Sequence, residues 1–419
     1  MKNEFDKILV MGLGYIGLPT AAVFASRKKE VVGVDINENT VSTINKGEIH
    51  IVEPQLDIVV RAAVSEGYLK ASTVPETADA FIIAVPTPFK DDHVPDLSYV
   101  FSASNAIAPH LKKGNLVILE STSPVGATEA MSKCLAKSRP DLSFPHGKSD
   151  ESDIRIAHCP ERVLPGHVLR ELVQNDRVIG GLTNKCTNAA IELYKIFVSG
   201  ECVPTNAKTA EMCKLTENAC RDVQIAFANE LSMICDKNDI DVWELITLAN
   251  RHPRINILQP GPGVGGHCIA VDPWFIVSED PDLSNLIRTA REVNDSKPNW
   301  VERKVLSLAK SLGQETVKVA CLGLSFKADI DDWRESPALQ ITLNLNAKGN
   351  LDVYAVEPNI ESKHSACPNL LLTDLKAAMA VAEIVLILVD HKEFQTLKDD
   401  YEIKDKLIID TRGVLSSHI

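Results

Sequence analysis

Short apolar runs alternate with helical stretches over the first part of this 419-residue chain. The runs that look like buried strands lie at 7–11, 31–35, 81–85 and 116–120. Strands that alternate with helices predict a parallel, doubly wound sheet whose ligand-binding loops share one edge. The rhythm returns near the C-terminus, with runs at 317–322, 351–356, 384–389 and 407–410. We therefore predict an α/β protein with two Rossmann-like domains.

The region between these two predicted domains has a different pattern. From Ala207 to Lys237 the chain contains neither Pro nor Gly, and apolar residues recur at helical spacing. This pattern predicts one long helix in a central helical region, which we expect to link the domains and to help a homodimer form. We expect the region of Pro298 to open the helix that leads into the second α/β domain.

Charge and composition narrow the classes of protein. The formal net charge is −13, and no basic run is concentrated enough to attract nucleic acid, so no nucleic-acid partner is expected. The charged N-terminus does not look like a signal peptide, and the apolar run at 384–389 is too short to cross a bilayer. The ten cysteines lack CxxC spacing, so we expect no metal site and no disulfide framework. These features favour a cytoplasmic protein that does not bind membranes.

A glycine fingerprint follows the first predicted strand. Gly12 permits a tight turn, Gly14 lets a pyrophosphate approach the backbone, and Gly17 lets the next helix pack on the sheet. Asp35 ends the second predicted strand, where a carboxylate accepts hydrogen bonds from a ribose and repels a 2′-phosphate. The pattern favours NAD over NADP. FAD, or a turn without any ligand, remains an alternative at this point.

Two further loops follow predicted strands at the same edge. Thr87 lies in Val-Pro-Thr-Pro and Thr122 lies in Ser-Thr-Ser-Pro. Both are candidates for ligand contact, although Pro, Ser and Thr also favour ordinary turns. Glu161 follows another strand candidate at 155–158 and would serve as a general base if partly desolvated. The alternative is a surface carboxylate paired with Arg162.

The least ordinary segment is the glycine-rich run that ends in Cys268, with Asp272 four residues later. Four glycines in six residues allow close approach to a ligand, and a thiol at the end of such a loop can be reached and aimed. Lys214 and Asn218 share a face of the long predicted helix, and Arg221 follows on the same side. They are candidates for holding an alkoxide or a water molecule. A buried core thiol and a solvated helix face are the alternatives.

Several motifs in one order resemble the nucleotide-sugar 6-dehydrogenase family, which includes UDP-glucose dehydrogenase. The resemblance covers essentially the whole chain. The motifs are GLGYIGLP, VPTP, STSPVG, CPER, EMCKLTEN, GVGGHC, GLSFK and DTRGV. Within the family, PERVLPG, NRHPRINI and PGPGVGGHCIAVDPWF are most similar to members that oxidise UDP-N-acetyl-D-mannosamine. Arg162 and His267 stand where glucose enzymes usually carry a phenylalanine and a small residue, which favours an N-acetylated sugar.

The resemblance implies a domain plan and a role for each matching residue. It implies an NAD-binding domain at 1–203, a central dimerisation and catalytic domain at 204–300, and a UDP-sugar-binding domain at 301–419. The implied catalytic residues are Cys268, Lys214, Asn218, Asp272, Glu161 and Thr122. The implied NAD contacts are Gly12, Gly14, Tyr15, Ile16, Gly17, Asp35, Thr87 and Thr122. The implied substrate contacts are Arg162, Val163, Lys214, Asn218, Arg221, His252, Arg254, Gly265, Lys327 and Arg412.

The activity that the resemblance implies is a four-electron oxidation with two NAD per sugar. Cys268 would capture the aldehyde as a thiohemiacetal, a second oxidation would give a thioester, and Glu161 would assist its hydrolysis. The product would serve a cell-surface polysaccharide. Alternatives are the same reaction on UDP-N-acetylglucosamine, UDP-N-acetylgalactosamine, UDP-glucose or GDP-mannose, a non-covalent β-hydroxyacid dehydrogenase, and a non-catalytic NAD-sensing module.

Overall fold

The computed structural model describes residues 5–90, 93–147, 150–164, 166–266, 268–330, 332–359, 370–399, 403 and 405–416. The chain forms two compact units, which we call unit 1 (Met1–Glu217) and unit 2 (Asn218–Ile419). A search of the described helices for a stretch long and apolar enough to span a membrane finds none.

Unit 1 is built on an eight-stranded sheet with the order β3-β2-β1-β4-β5-β6-β7-β8. The strands are β1 (Lys7–Met11), β2 (Glu30–Val34), β3 (Leu69–Ser72), β4 (Ala80–Ile83), β5 (Leu116–Leu119), β6 (Arg155–His158), β7 (Arg177–Gly181) and β8 (Cys202–Asn206). Neighbouring strands are parallel except β6 and β7, which are antiparallel. The central strands β4, β5 and β6 are buried along their whole length, because helices cover both faces of the sheet.

The helices of unit 1 connect these strands and pack two apolar cores against the sheet. They are α1 (Gly17–Ser26), α2 (Glu38–Asn45), α3 (Leu56–Ser65), α4 (Ser98–Ile107), α5 (Ala127–Ser138), α6 (Val168–Gln174) and α7 (Asn184–Tyr194). The strand order reverses between β1 and β4, so the loops that follow these two strands flank the crevice where doubly wound sheets bind ligands.

Unit 2 contains a second, fully parallel sheet with the order β10-β9-β11-β12. Its strands are β9 (Val317–Leu322), β10 (Leu351–Val356), β11 (Ile384–Ile387) and β12 (Leu407–Asp410). The remaining helices are α8 (Ala207–Lys237), α9 (Val242–Ala249), α10 (Asp272–Glu279), α11 (Asn285–Leu312), α12 (Pro337–Asn346) and α13 (Leu375–Val381). Helix α8 begins in unit 1 and ends in unit 2.

The structure confirms the predicted fold class, including two parallel-dominated sheets and the long helix at 207–237. One prediction is wrong. Pro298 does not open a helix but lies inside α11, which begins thirteen residues earlier at Asn285. Proline has no N–H to give the carbonyl of Asn294, yet a helix of 28 residues with buried contacts tolerates one missing bond. The pattern also gave no sign of the antiparallel step between β6 and β7.

A buried ion pair joins α8 to α11 within unit 2. Arg291 is 1% exposed, and its Nη1 donates to Oδ1 of Asp222 at 2.5 Å. The amide of Asn294 donates to the same oxygen at 2.8 Å. Burial raises the pKa of Asp222, although Arg291 opposes that shift. The second arm of Arg291 reaches Asp295, whose side chain is 52% exposed.

Replacing each carboxylate of this cluster separately tests how burial controls its contribution to stability. We expect Asp222→Asn to lower the free energy of unfolding by about 3 kcal/mol, because it leaves the buried guanidinium without its buried counter-charge. Asp295→Asn is the matched control, with an expected loss below about 1 kcal/mol, because water screens an exposed pair. All four tryptophans lie in unit 2, so tryptophan fluorescence in a urea titration reports on this unit. Equal losses for both variants would contradict the prediction.

Candidate active site

Only one glycine of the Gly12-x-Gly14-x-x-Gly17 turn leaves room for a ligand. Gly12 has φ of +89°, and a Cβ there would lie 2.5 Å from the Ala84 carbonyl oxygen. A Cβ on Gly17 would lie 1.8 Å from the Gly12 carbonyl oxygen. Among the described residues, nothing lies within 4 Å of a Cβ built on Gly14. The fold itself therefore requires Gly12 and Gly17, whereas Gly14 keeps an approach to the backbone open.

The N-terminus of α1 begins at the glycine turn, where the Leu18 N–H donates to the Gly14 carbonyl and Pro19 has no N–H. Helix α1 has no acidic residue in its first turn and no side-chain cap, and Tyr15 and Ile16 lie half-buried just before it. Helix α5 shows the contrasting case. The buried carboxylate of Glu211 accepts from the N–H groups of Gly126 and Thr128 at 2.6 and 2.7 Å. The N-terminus of α5 is therefore occupied by a carboxylate of the chain, and that of α1 suits a pyrophosphate.

Asp35 stands directly after β2, beside this turn. Its Oδ2 accepts from the Leu13 N–H at 3.0 Å, and its Oδ1 accepts from the Asn37 N–H at 2.9 Å. These bonds fix the carboxylate while the residue stays half-buried, so it can still accept from ribose hydroxyls. The open Gly14 backbone, the α1 N-terminus and the fixed carboxylate together fit a dinucleotide such as NAD.

The two threonine loops that follow β4 and β5 are bonded to each other. The Thr87 hydroxyl donates to the Thr122 carbonyl at 2.5 Å. The Ser121 hydroxyl donates to the Val85 carbonyl at 2.7 Å. Thr87 and Thr122 are both half-buried, and the bonds hold their loops as one wall beside the switch point of the sheet.

The alternative to a general base was that Glu161 pairs with the neighbouring Arg162 side chain. The structure does not show this pairing. The Oε2 of Glu161 accepts from Nη2 of Arg177 at 2.7 Å, and its Oε1 accepts only from the backbone N–H of Arg162. The guanidinium of Arg162 instead pairs with Glu217 at 2.7 Å. Val163 follows and packs, half-buried, against a core of unit 1. Glu161 is thus held from the interior of the unit.

Sequence reasoning missed the buried groups behind Glu161. Glu120 follows β5, is 1% exposed, and its Oε1 lies 3.7 Å from Nη1 of Arg177. Burial, aided by the negative charge of Glu161, raises the pKa of Glu120 to about 7. The Tyr194 hydroxyl donates to Glu120 at 2.8 Å. An acid that ends an otherwise apolar strand was a signal for Glu120, but nothing local to Arg177 indicated its partner.

The structure brings together two of the predicted catalytic residues in unit 2. The Asn218 side-chain amide on α8 donates to Oδ2 of Asp272 at 2.5 Å. Asp272 is 3% exposed and is the first residue of α10. Lys214 and Arg221 lie on α8 as expected, the first half-buried and the second exposed.

Cys268 lies on the turn that leads into α10. Its carbonyl accepts from the Asp272 N–H at 2.9 Å, and the residue is exposed. The alternative of a buried core thiol is therefore wrong for Cys268. It fits Cys159 and Cys321, because burial raises the pKa of each of these thiols to about 12. The neighbouring His267 lies outside the described residues.

The sequence suggested that the glycines before Cys268 leave space for a ligand. In the structure, these glycines pack against other residues of the protein. A Cβ on Gly265 would lie 2.5 Å from the Glu335 carbonyl oxygen. A Cβ on Gly266, which has φ of +79°, would lie 3.1 Å from the Phe326 ring. The glycines thus let the Cys268 loop press onto the segment that follows β9.

Lys327 directly follows Phe326 and is exposed. The contact between Phe326 and Gly266 therefore places Lys327 in the segment beside the Cys268 loop. Arg412 approaches the other end of the same loop, where its Nη1 is 3.5 Å from the Pro260 carbonyl. Its Nε donates to Asp390 at 2.9 Å. His252 and Arg254 lie on the exposed turn after α9. Thr122, Glu161 and the dinucleotide turn belong to unit 1, and Cys268, Asp272, Lys327 and Arg412 belong to unit 2.

Two alanine substitutions separate a ligand-facing glycine from a packing glycine. We expect Gly14→Ala to leave the melting temperature unchanged and to weaken NAD binding at least about tenfold, because a methyl group there meets only the ligand. We expect Gly17→Ala to lower the melting temperature, because its Cβ overlaps the Gly12 carbonyl. Circular dichroism and NAD titration measure the two effects. Unchanged NAD affinity in Gly14→Ala would place the pyrophosphate elsewhere.

Comparison with known protein families matches three successive segments. The NAD binding domain of the UDP-glucose/GDP-mannose dehydrogenase family matches residues 6–198, its central domain matches 208–296, and its UDP binding domain matches 320–417. The match confirms the resemblance and the expectation of NAD as cofactor.

Individual relatives extend the match over nearly the whole chain. A Campylobacter jejuni protein named UDP-N-acetyl-D-mannosamine dehydrogenase is 64% identical over 95% of this chain and 98% of its own. A Ralstonia nicotianae protein named NDP-N-acetyl-D-galactosaminuronic acid dehydrogenase is 62% identical over 99% and 97%. A solved UDP-N-acetyl-mannosamine dehydrogenase from S. aureus is 46% identical, covers 98% of this chain and 96% of its own, and superposes with a TM-score of 0.86. The chain therefore belongs to the UDP-glucose/GDP-mannose dehydrogenase family of NAD-dependent oxidoreductases.

Proposed function

We propose that the chain oxidises UDP-N-acetyl-D-mannosamine to UDP-N-acetyl-D-mannosaminuronate, with Cys268 as covalent nucleophile. The observation that carries the proposal is the exposed Cys268 turn, which leads directly into the partly buried Asn218–Asp272 hydrogen bond. A reachable thiol beside a fixed carboxylate suits covalent capture of an aldehyde. The names of the C. jejuni and S. aureus relatives support the choice of sugar.

Each step assigns a task to a group of the chain. Lys214 and Asp272 hold a water molecule that accepts the proton of the sugar's primary alcohol. Asn218 donates to Asp272 and so keeps its carboxylate oriented. NAD, when bound, supplies the hydride acceptor for each of the two oxidations. Cys268 adds to the aldehyde carbon as a thiolate, and the resulting thiohemiacetal is oxidised to a thioester.

Hydrolysis of the thioester completes the reaction. Glu161 accepts a proton from the attacking water, a C–O bond forms, and the C–S bond breaks to release the carboxylate and regenerate the thiolate. We assign Thr122, whose carbonyl accepts from the Thr87 hydroxyl, as the residue that completes the site. Because the aldehyde stays attached to Cys268, it need not escape.

The substrate's diphosphate requires cations in a protein whose net charge is −13. We assign Lys327 and Arg412 to the diphosphate, because they lie at the two ends of the Cys268 loop. The other proposed contacts to the UDP-sugar are Arg162, Val163, Lys214, Asn218, Arg221, His252, Arg254 and Gly265. The three-domain division at 203 and 300 belongs to this proposal.

We also propose that the protein works as a homodimer in the cytoplasm. Phe227 and Ile234 lie seven residues apart on α8 and are 57% and 51% exposed, which gives the helix an apolar face for a second copy. A reducing compartment suits a mechanism that needs Cys268 as a thiolate.

A cysteine substitution tests the covalent role. We expect Cys268→Ser to lower turnover at least about 1,000-fold while UDP-sugar affinity changes less than about twofold, because the thiol acts in chemistry and not in binding. Cys134→Ser, on α5 of unit 1, is the control and should keep full turnover. Turnover in Cys268→Ser at the level of the control would remove Cys268 from the mechanism.

A panel of nucleotide sugars with NADH counting tests both the sugar and the reaction. UDP-N-acetylgalactosamine is the second candidate, because the R. nicotianae relative carries the galactosaminuronic name. We expect kcat/KM for UDP-N-acetylmannosamine to exceed that for its epimers and for UDP-glucose at least about tenfold. Each preferred sugar should yield two NADH. Preference for the galacto epimer would change the sugar, and one NADH with free aldehyde would exclude the covalent mechanism.

A further inference from the structure

A buried cluster in unit 1 lies behind Glu161 and has no part in the steps above. It contains Arg177 at the start of β7, Glu120 at the end of β5, and Tyr194 at the end of α7. Each of these residues is less than 5% exposed, so none of them can touch a substrate. Arg177 contacts Glu161 directly, which gives the cluster a route to the reaction.

Arg177 holds Glu161 with one arm and faces Glu120 with the other. Nη2 donates to Oε2 of Glu161 at 2.7 Å, and Nη1 lies 3.7 Å from Oε1 of Glu120. The guanidinium carbon lies 4.6 Å from the centre of the Tyr194 ring and 5.4 Å from that of Phe197. The rings and the two carboxylates together leave the planar guanidinium one orientation.

Glu120 is itself fixed from two further elements. The Tyr194 hydroxyl donates to its Oε1 at 2.8 Å, and the Thr20 hydroxyl of α1 donates to its Oε2 at 3.3 Å. One guanidinium thus faces two carboxylates in a dry interior. Burial raises the pKa of Glu120 to about 7, so the cluster can take up a proton at Glu120.

Stability alone is a poor reason for this arrangement. A buried ion pair costs much of its attraction in lost hydration, and an apolar cluster of the same volume is often at least as stable. The Nε atom of Arg177 is buried and has no hydrogen-bond partner among the described residues. The Arg177 guanidinium is therefore costly to bury, and the clearest effect of burying it is that it fixes the direction of the Glu161 carboxylate.

We propose that Arg177 and Glu120 are positioning residues that aim the Glu161 carboxylate for the hydrolytic half of the reaction. The inference rests on the proposed function, because it assumes that Glu161 accepts the proton from the water that cleaves the thioester. The two oxidations do not use Glu161. Disturbing the cluster should slow release of the product while leaving formation of the thioester intact.

Arg177→Lys tests this proposal, because lysine keeps the charge and lacks the second arm that faces Glu120. The variant is mixed with UDP-N-acetylmannosamine and excess NAD in a stopped-flow instrument. We expect a burst of two NADH per active site at a rate within about threefold of the unchanged enzyme, followed by turnover at least about tenfold slower. Acid quenching and intact mass measurement should show the sugar bound to Cys268 as a thioester. The KM for the sugar should stay unchanged.

Arg155→Lys is the matched control. Arg155 starts β6 of the same sheet, is 9% exposed, donates to the Gly114 carbonyl and lies 5.6 Å from the Phe5 ring. We expect this variant to show neither slow release nor an accumulated thioester. An Arg177→Lys enzyme in which burst and turnover slow equally, or in which no thioester accumulates, would overturn the proposal.

Glu120→Gln covers the case in which Arg177→Lys fails to fold. Glutamine keeps the volume and one acceptor oxygen, so it can retain the bond from either Tyr194 or Thr20, and it removes the charge that holds the second arm of Arg177. We expect the same slow release with an intact burst, and an unchanged release rate would overturn the proposal. The unchanged enzyme separates the two hypotheses. If it yields one NADH and free aldehyde, the mechanism itself fails, whereas two NADH with unaffected variants defeats only the positioning role.

Discussion

In both units, a carboxylate that directly follows one strand fixes the loop that follows the neighbouring strand. In unit 1 the Leu13 N–H donates to Asp35 at 3.0 Å, and in unit 2 the Leu324 N–H donates to Glu357 at 2.7 Å. The glycine before each leucine has φ of +89° or +90°. The same bond therefore shapes the turn at the switch point of each sheet, and the positions of the ligand-binding loops follow from it.

The two units differ in what the carboxylate can still do. Asp35 is half-buried, so it remains open to ribose hydroxyls. The Glu357 side chain is 1% exposed and lies 3.2 Å from Nε2 of His391, which occupies the oxygen that also accepts from Leu324. Unit 2 consequently cannot receive a ribose in the way that unit 1 can, and it presents Lys327 and Arg412 instead. The same bonded turn thus suits a dinucleotide in unit 1. In unit 2 it suits a diphosphate that is bound by cations.

Local patterns predicted most of the fold, and the family resemblance supplied most of the proposed site residues, but neither indicated the contacts between distant segments. Parallel strands buried on both faces give plain apolar runs, so β1 and β9 were found at their observed bounds. The ion pair between Glu161 and Arg177 joins the loop after β6 to the first residue of β7, and no local spacing encodes it. The packing role of the glycines before Cys268 was missed for a similar reason. Their partner, the segment around Phe326, is some sixty residues away in the chain.

Burial divides the chemical groups of this chain into those that react and those that orient. The buried thiols of Cys159 and Cys321 are held protonated by their surroundings, because a thiolate loses too much hydration there. Cys268 is exposed instead, because its loop packs onto protein through glycines and the turn that follows faces solvent. Among the carboxylates, the Glu161 side chain is 8% exposed and that of Glu120 is 0% exposed. Arg177 contacts both, so the interior sets the direction of the Glu161 carboxylate and leaves it only a narrow access to water.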